Sequence, residues 1–280
     1  MASCKEKAKV AESMTEPNWL ELPIDLTKNI LQRLDTVDIV TSAHNVCPLW
    51  RNICNDPLMW RTIHMIGNIS RFDRLESEKK LRRHVSGTIL FGNISRCDFR
   101  RLESLEKICR RAIDLSCGLV LEDIAIESFG TDDLLKYIAH RAGHIRRLQI
   151  SCCIQISCKG IREFVKEYPL LEELTIEMKM KNTNFIVDCE DDEFPIAKPM
   201  PRLRHLKIFG IFLNDVKLEA ILDCCPLLES LDLCMCICDS FSPSVSKRFH
   251  EKIKYFQPPY QINDGDDEHV ELEIDDDSDD

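Results

Sequence analysis

The chain has 280 residues, 37 Lys and Arg against 48 Asp and Glu, a formal net charge of −11 and fifteen cysteines. Its uncharged apolar runs are too short for a helical membrane span, and its polar N-terminus lacks the apolar core of a secretory leader. Reduced thiols and a cytoplasmic or nuclear location are therefore expected, with the sequons at Asn68 and Asn93 as chance matches.

Residues 1–16 are polar and expected to be disordered. Residues 17–64 carry helical signals. Pro23 suits the first turn of a helix, where its missing N–H costs nothing, and Leu22, Leu26, Ile30, Leu31 and Leu34 follow at helical spacing. Asp35 can cap a second helix in which Ile39, Ala43, Val46, Cys47 and Trp50 share one face. Pro48 lies within that helix and predicts a bend before Trp50. Asp56 and Pro57 read as N-cap and first residue of a third helix leading to Trp60. A unit of about 40 residues buries little core alone, so its apolar surface is expected to meet another chain or the next domain.

Residues 65–108 read as a basic helical connector. From Arg71 to Arg111 there are 12 Lys and Arg against 6 Asp and Glu, and Gly67–Ser77 nearly recurs as Gly92–Ser104. Only Phe72, Phe91 and Phe99 could stack bases, so a solvated helix face pairing with the acidic tail is favoured over a nucleic-acid site.

Residues 109–260 repeat. Ile145-Leu148-Ile150-Cys153, Leu171-Leu174-Ile176, Leu203-Leu206-Ile208 and Leu228-Leu231-Leu233-Cys236 align on one leucine-rich pattern, after a weaker start at Ile113 and Leu115. Their central pairs lie 26, 32 and 25 residues apart, with helical stretches after Gly160 and Lys217 that end at prolines. This pattern predicts strand, turn, helix and return, stacked into a short curved solenoid of about five repeats. The longest interval holds an insertion, Lys179–Met200, expected to project as a loop. The spacing of its carboxylates is not that of a calcium loop. Residues 261–280 form an acidic tail: positions 264–280 hold 11 acids and no Lys or Arg, which accounts for the whole net charge. It is expected to be disordered and solubilising, or an interaction tail with a kinase site at Ser278.

Chemistry-bearing constellations are weak. His140 and His144 lie four apart, but Gly143 weakens the helix and no Glu follows the first His. Cys234, Cys236 and Cys238 alternate along a strand, yet no CxxC pair accompanies them, so buried structural thiols are expected. No Gly-rich phosphate loop is present. The expectation is no enzyme, no cofactor and no metal.

Leu22-Pro23, Ile30-Leu31, Leu34-Asp35, Asp38-Ile39, Val46-Cys47, Trp50-Arg51 and Asp56-Pro57-Leu58-Met59-Trp60 resemble the F-box pattern along its full length. Together with Arg110–Gly118, Phe129–Arg141 and the repeats, they resemble plant F-box/LRR proteins of the Skp-interacting type. The resemblance implies an α plus α/β fold, a small helical F-box followed by a leucine-rich-repeat solenoid. It also implies a substrate-receptor subunit of an SCF-type ubiquitin ligase that binds a Skp-family adaptor and, through it, cullin and a RING protein. Adaptor contacts are then expected from Leu22, Pro23, Leu26, Ile30, Leu31, Leu34, Ile39, Val46, Trp50 and Trp60, although the two tryptophans serve equally well to hold the module together. Strand alternation assigns target binding to Gln149, Ser151, Thr175, Glu177, Lys207, Phe209 and Asp232, with Cys234 beside them. Some members of the family hold hormones or inositol phosphates, but this arc is too short to enclose one. A non-ligase assembly scaffold is the alternative, and a basic nucleic-acid factor a third reading.

Overall fold

The structure is a computed structural model that describes residues 21–66, 96–178, 187–190, 194–196, 198–233, 236–238 and 241–261. The N-terminal tail, most of the connector including both Gly-Asn-Ile-Ser segments, and the acidic tail lie outside the described residues.

Three short helices open the fold: α1 (Ile24–Leu31), α2 (Thr36–Thr41) and α3 (Pro48–Cys54), with 3-10 turns at Ala43–Asn45 and Pro57–Trp60. Pro23 is the N-cap of α1 rather than a residue of its first turn. Asp35 caps α2 by accepting from the Asp38 N–H at 2.8 Å. The long second helix expected from the sequence is absent. Proline is tolerated at N1, where no backbone partner is lost, so Pro48 starts a new helix capped by Cys47 instead of bending an old one. Asp56 caps the last turn through the Leu58 N–H at 3.0 Å.

The chain then enters a sheet. Strand β1 (Thr62–Ile66) begins two residues after Trp60 and pairs in parallel with β2 (Asp123–Glu127). Between them runs α4 (Arg96–Leu115), so the domain boundary expected at 108/109 falls inside a helix, and Ile113 and Leu115 are helical, not a first strand. The missed first repeat is Leu121-x-x-Ile124-x-Ile126. Then come α5 (Asp132–Arg141), β3 (Arg147–Ser151), α6 (Cys158–Glu167), β4 (Glu173–Glu177), β5 (His205–Phe209), β6 (Phe212–Leu213), α7 (Asp215–Cys224), β7 (Ser230–Asp232), β8 (Ile237–Cys238), α8 (Pro243–Lys252), β9 (Tyr255–Gln257) and β10 (Tyr260–Gln261). The main sheet is wholly parallel in the order β1-β2-β3-β4-β5-β7-β9, and β6, β8 and β10 form a second rail.

Each of the five-residue strands turns two apolar side chains toward the helices. Ile63 and Met65, Ile124 and Ile126, Leu148 and Ile150, Leu174 and Ile176, and Leu206 and Ile208 are all buried. Because these pairs face only their neighbours above and below, no repeat has a core alone. The helices are set by small polar caps. Thr131, Ser157, Asn214 and Ser242 accept from Leu134, Gly160, Lys217 and Val245 respectively. Asp132 of α5 also accepts from the Ser157 N–H at 2.8 Å and its hydroxyl at 2.7 Å, tying one helix start to the next.

The described residues of the insertion do not project as expected. Cys189, Phe194, Ile196 and Met200 are buried in the common core and occupy the place of a helix between α6 and α7. Val187 continues the second rail: its N–H donates to Gly210 O at 2.7 Å and its carbonyl accepts from Phe212 at 2.9 Å. Lys217, only 2% exposed, donates to Phe212 O at 3.0 Å and pairs with Asp188 at 3.3 Å. Cys189 is joined to Cys158 by a disulfide, so the expectation of uniformly reduced thiols fails at this pair.

One turn shows how closely the repeats are stacked. Gly118 ends the turn after α4 at φ +68°, and a Cβ there would lie 1.8 Å from Arg141 O. Its carbonyl accepts from the Gly143 N–H at 3.1 Å, joining the first two repeats. Left-handed strain and a clash with backbone that cannot step aside should together cost roughly 2–4 kcal/mol in Gly118→Ala. A lowered urea midpoint at unchanged slope is the expected result.

Candidate functional site: two binding faces

The helical module presents aliphatic side chains that its own fold leaves uncovered. Thr27 and Leu31 face inward on α1, whereas Leu26 is 51% exposed and Ile30, one turn on, 40%. Leu34 continues the stripe just beyond the helix, and Val46 and Leu58 are exposed on later turns. Leu22 is half-buried and Pro23 exposed. Leu31 and Ile39 are corrected from interface to core, being 0% and 5% exposed, and Trp60, at 1%, takes the second of its two expected roles and holds the module together. The Trp60 indole N–H donates to Cys54 O at 2.8 Å, which fixes the ring beneath the module. Trp50 is half-buried against the same core. Ile24, Leu58 and Ile66 are exposed apolar residues that sequence reasoning missed. Leu58 was legible: Met59 and Trp60 turn inward, which sends their neighbour out.

The inner face of the sheet brings most of the expected target residues together. Gln149, Thr175, Lys207 and Asp232 stand opposite one another in consecutive strands, and Ser151, Glu177 and Phe209 form the next row. Ser151 is corrected: it is 2% exposed and cannot contact a target. Gln149 Nε2 donates to its hydroxyl at 3.2 Å. Lys207 lies 4.4 Å above the Phe209 ring and 3.6 Å from Asp232. Cys234 lies outside the described residues. Register extends the first row to His64, Ala125 and Gln257, which were missed because β1, β2 and β9 were not read as strands.

Other candidates disperse. Helix α5 ends at Arg141, so His140 and His144 do not share a helical face. His140 Nδ1 lies 2.7 Å from Lys136 O. Among the described residues no group of His, Cys, Asp and Glu is arranged to hold a metal. The cysteines that close the repeat pattern sit at turns. The Cys153 thiol donates to Ile126 O at 3.6 Å, and the Cys236 thiol to Ile208 O at 3.2 Å. Burial pushes the thiols of Cys109, Cys153 and Cys225 up to about 12, which leaves them protonated and poor nucleophiles at neutral pH.

A small helical module with an uncovered aliphatic stripe, fused to a parallel leucine-rich-repeat sheet, defines a docking protein of the F-box/LRR class. The F-box domain pattern matches residues 19–62. The pattern of the LRR repeats of FBD-associated F-box protein At5g56370 matches residues 180–250. The chain is 35% identical over 279 residues to F-box protein SKIP19 of Arabidopsis thaliana, an alignment covering 92% of this chain and 83% of that protein. From the same plant, Putative F-box/LRR-repeat protein 9 is 34% identical over 79% of this chain and 88% of its own length. Putative F-box/LRR-repeat protein 23 is 33% identical over 89% of this chain and 54% of its own length. The chain belongs to the plant F-box/LRR-repeat family.

One charged cluster on the inner face is testable by titration. His64 Nε2 lies 3.4 Å from Asp123 Oδ1, and Arg147 Nε donates to Asp123 Oδ2 at 3.0 Å. The hydrogen bond to Asp123 raises the His64 pKa above its usual range, against burial and the repulsion of Arg147. A raised folded value means that the stability from this contact is complete below about pH 6.5 and lost as pH climbs through the folded pKa. NMR titration should find His64 titrating above that value in the wild type, and lower in Asp123→Asn.

Proposed function

We propose that this protein is the substrate-receptor subunit of an SCF-type ubiquitin ligase. In this reading the F-box docks a Skp-family adaptor, which carries cullin and the RING protein, while the inner face of the repeats holds a target protein. The observation that carries it is the stripe Leu26, Ile30 and Leu34, with Val46 and Leu58, exposed on a module whose Leu31, Ile39, Ile53, Met59 and Trp60 share one core with the repeats. The subunit performs no chemistry itself. Holding the target beside the ubiquitin-charged enzyme raises local concentration and removes much of the entropy cost of encounter. The target row Gln149, Thr175, Lys207 and Asp232 offers donors, acceptors and both charges. That composition suits a polar peptide surface rather than an enclosed small molecule. A cytoplasmic or nuclear site of action goes with this role.

A desolvated aliphatic anchor at the centre of an interface is worth roughly 2–4 kcal/mol. The double variant Leu26→Asp with Ile30→Asp should therefore lose adaptor co-purification while keeping its melting temperature, since neither side chain supports the core. Wild type should retain adaptor and cullin together and yield ubiquitylated products with the remaining subunits. Adaptor without cullin would instead mark an assembly scaffold, and retention of neither would refute the proposal.

A further inference from the structure

We infer that the adaptor-docking face does not end at the F-box: the first repeat, through Leu119, supplies the far wall of the cleft into which the adaptor inserts an apolar side chain. The inference rests on the proposed adaptor docking. A cleft of about 760 Å³ separates the F-box from the turn that precedes β2. Leu34 and Leu58 line it from the F-box, and Leu119 and Val120 from the repeat. Leu34 is also the last member of the stripe begun by Leu26 and Ile30, so the exposed apolar residues of α1 lead to the cleft through it.

Leu119 is 74% exposed. A lone exposed leucine would call for no explanation, but one set across a cleft from Leu34 (38%) and Leu58 (61%) completes an apolar surface built by two parts of the chain. The turn that carries it is held in place before any partner arrives. Ser116 Oγ donates to Ile113 O at 2.6 Å and accepts from the Gly118 N–H at 3.2 Å, and Gly118 is locked to Gly143. A wall fixed beforehand loses little freedom on binding. The rim decides what kind of side chain fits. Arg61 donates to both carboxylate oxygens of Glu122, at 3.1 and 2.9 Å, so these two rim charges satisfy each other. Gln32, Asp35, Thr36, Thr62 and His64 also line the cleft, so an aliphatic or aromatic anchor meets apolar wall where Leu34, Leu58, Leu119 and Val120 stand. The adaptor is the occupant because the cleft continues the surface it is proposed to cover.

The test is the affinity of the full chain for a purified Skp adaptor of Arabidopsis thaliana, measured in wild type and variants. Leu119→Asp should weaken binding at least tenfold, chiefly through faster dissociation. Leu227→Asp, which places the same charge on a distant exposed leucine (49%), should bind as wild type does. The F-box pair Leu26→Asp with Ile30→Asp reports on docking itself. If that pair loses binding while Leu119→Asp stays within twofold of wild type, the interface stops at the F-box and the inference is overturned. Failure of the wild type to bind would remove the proposed docking and this inference with it. Should Leu119→Asp melt lower than wild type, Leu119→Ser is read in its place against the same thresholds.

Discussion

The arrangement depends on the five residues of β1. Three helices of six to eight residues cannot enclose a core, and here they do not try to. Leu31, Ile39, Ile53, Met59 and Trp60 are buried in one cluster with Leu105, Cys109 and Ala112 of α4 and with Ile124 and Ile126 of β2. Strand β1 makes that union rigid, because its backbone is paired with β2 residue for residue from Thr62 to Ile66. An F-box joined by a free linker would let a bound target wander. One that supplies the first strand of the repeat sheet fixes the span from the exposed stripe of α1 to the inner face, which is what the proposed receptor role requires.

Parallel strands with two inward residues each could slip against one another, and the residues just before the strands oppose this. Arg61, Glu122, Arg146, Glu172, Arg204, Glu229 and Lys254 occupy equivalent places and alternate in sign. Arg146 pairs with Glu172 at 3.4 Å and Lys254 with Glu229 at 3.0 Å, while Arg204 also meets Glu229. Exposed pairs of this kind contribute at most about 1 kcal/mol each. Most of the holding is done by the main chain beneath them, where Glu122, Arg146, Glu172, Arg204 and Glu229 each donate to the preceding member at 2.8–2.9 Å. The charges add selectivity: a one-residue slip would leave one of them opposite the apolar residue that precedes its partner, such as Leu171 or Leu203. On the back of the sheet, the Asp132–Ser157 contact does the same for the helix starts. Gly160 leaves room for that contact, because a Cβ would lie 2.0 Å from Asp132 Oδ1 and push the carboxylate from its place beside Ser157.

Much of this was legible in the sequence, for physical reasons that can be named. Leu148 and Ile150, Leu174 and Ile176, and Leu206 and Ile208 announce strands because period-2 burial leaves a fixed spacing, and Asp35 and Asp56 announce caps because few other side chains accept there. What was hidden lay where one residue type serves two ends. The stripe on α1 reads as a single apolar set, yet Leu31 turns inward and Leu26 outward by helical phase that a six-to-eight-residue helix defines poorly. Ile63 and Met65 form a strand only because β2 lies beside them, and nothing local distinguishes them from the last turn of the F-box. Pro48 was read as a defect in one helix when it begins another. Ser151 follows the alternation outward, but its hydroxyl is covered by Gln149 and the turn that follows.

The longest repeat shows the same tension between local and distant forces. Pro195, Pro199 and Pro201 oppose a helix over 194–202, and the carboxylates around Asp188 suggest an exposed loop. The segment is nevertheless drawn in, because without it the apolar flanks of α6 and α7 would face water. Phe194, Ile196 and Met200 fill that gap, and the Met200 N–H donates to Cys224 O at 2.8 Å, capping the end of α7. The segment's described backbone takes hydrogen-bond partners from neighbouring repeats at Gly210, Phe212 and Cys224, while Lys217 pairs with the Asp188 carboxylate and Cys158 is bonded to Cys189. The repeat that departs furthest from the pattern is thereby the one most dependent on its neighbours, and it lies behind β4 and β5, the strands that carry Thr175, Glu177, Lys207 and Phe209.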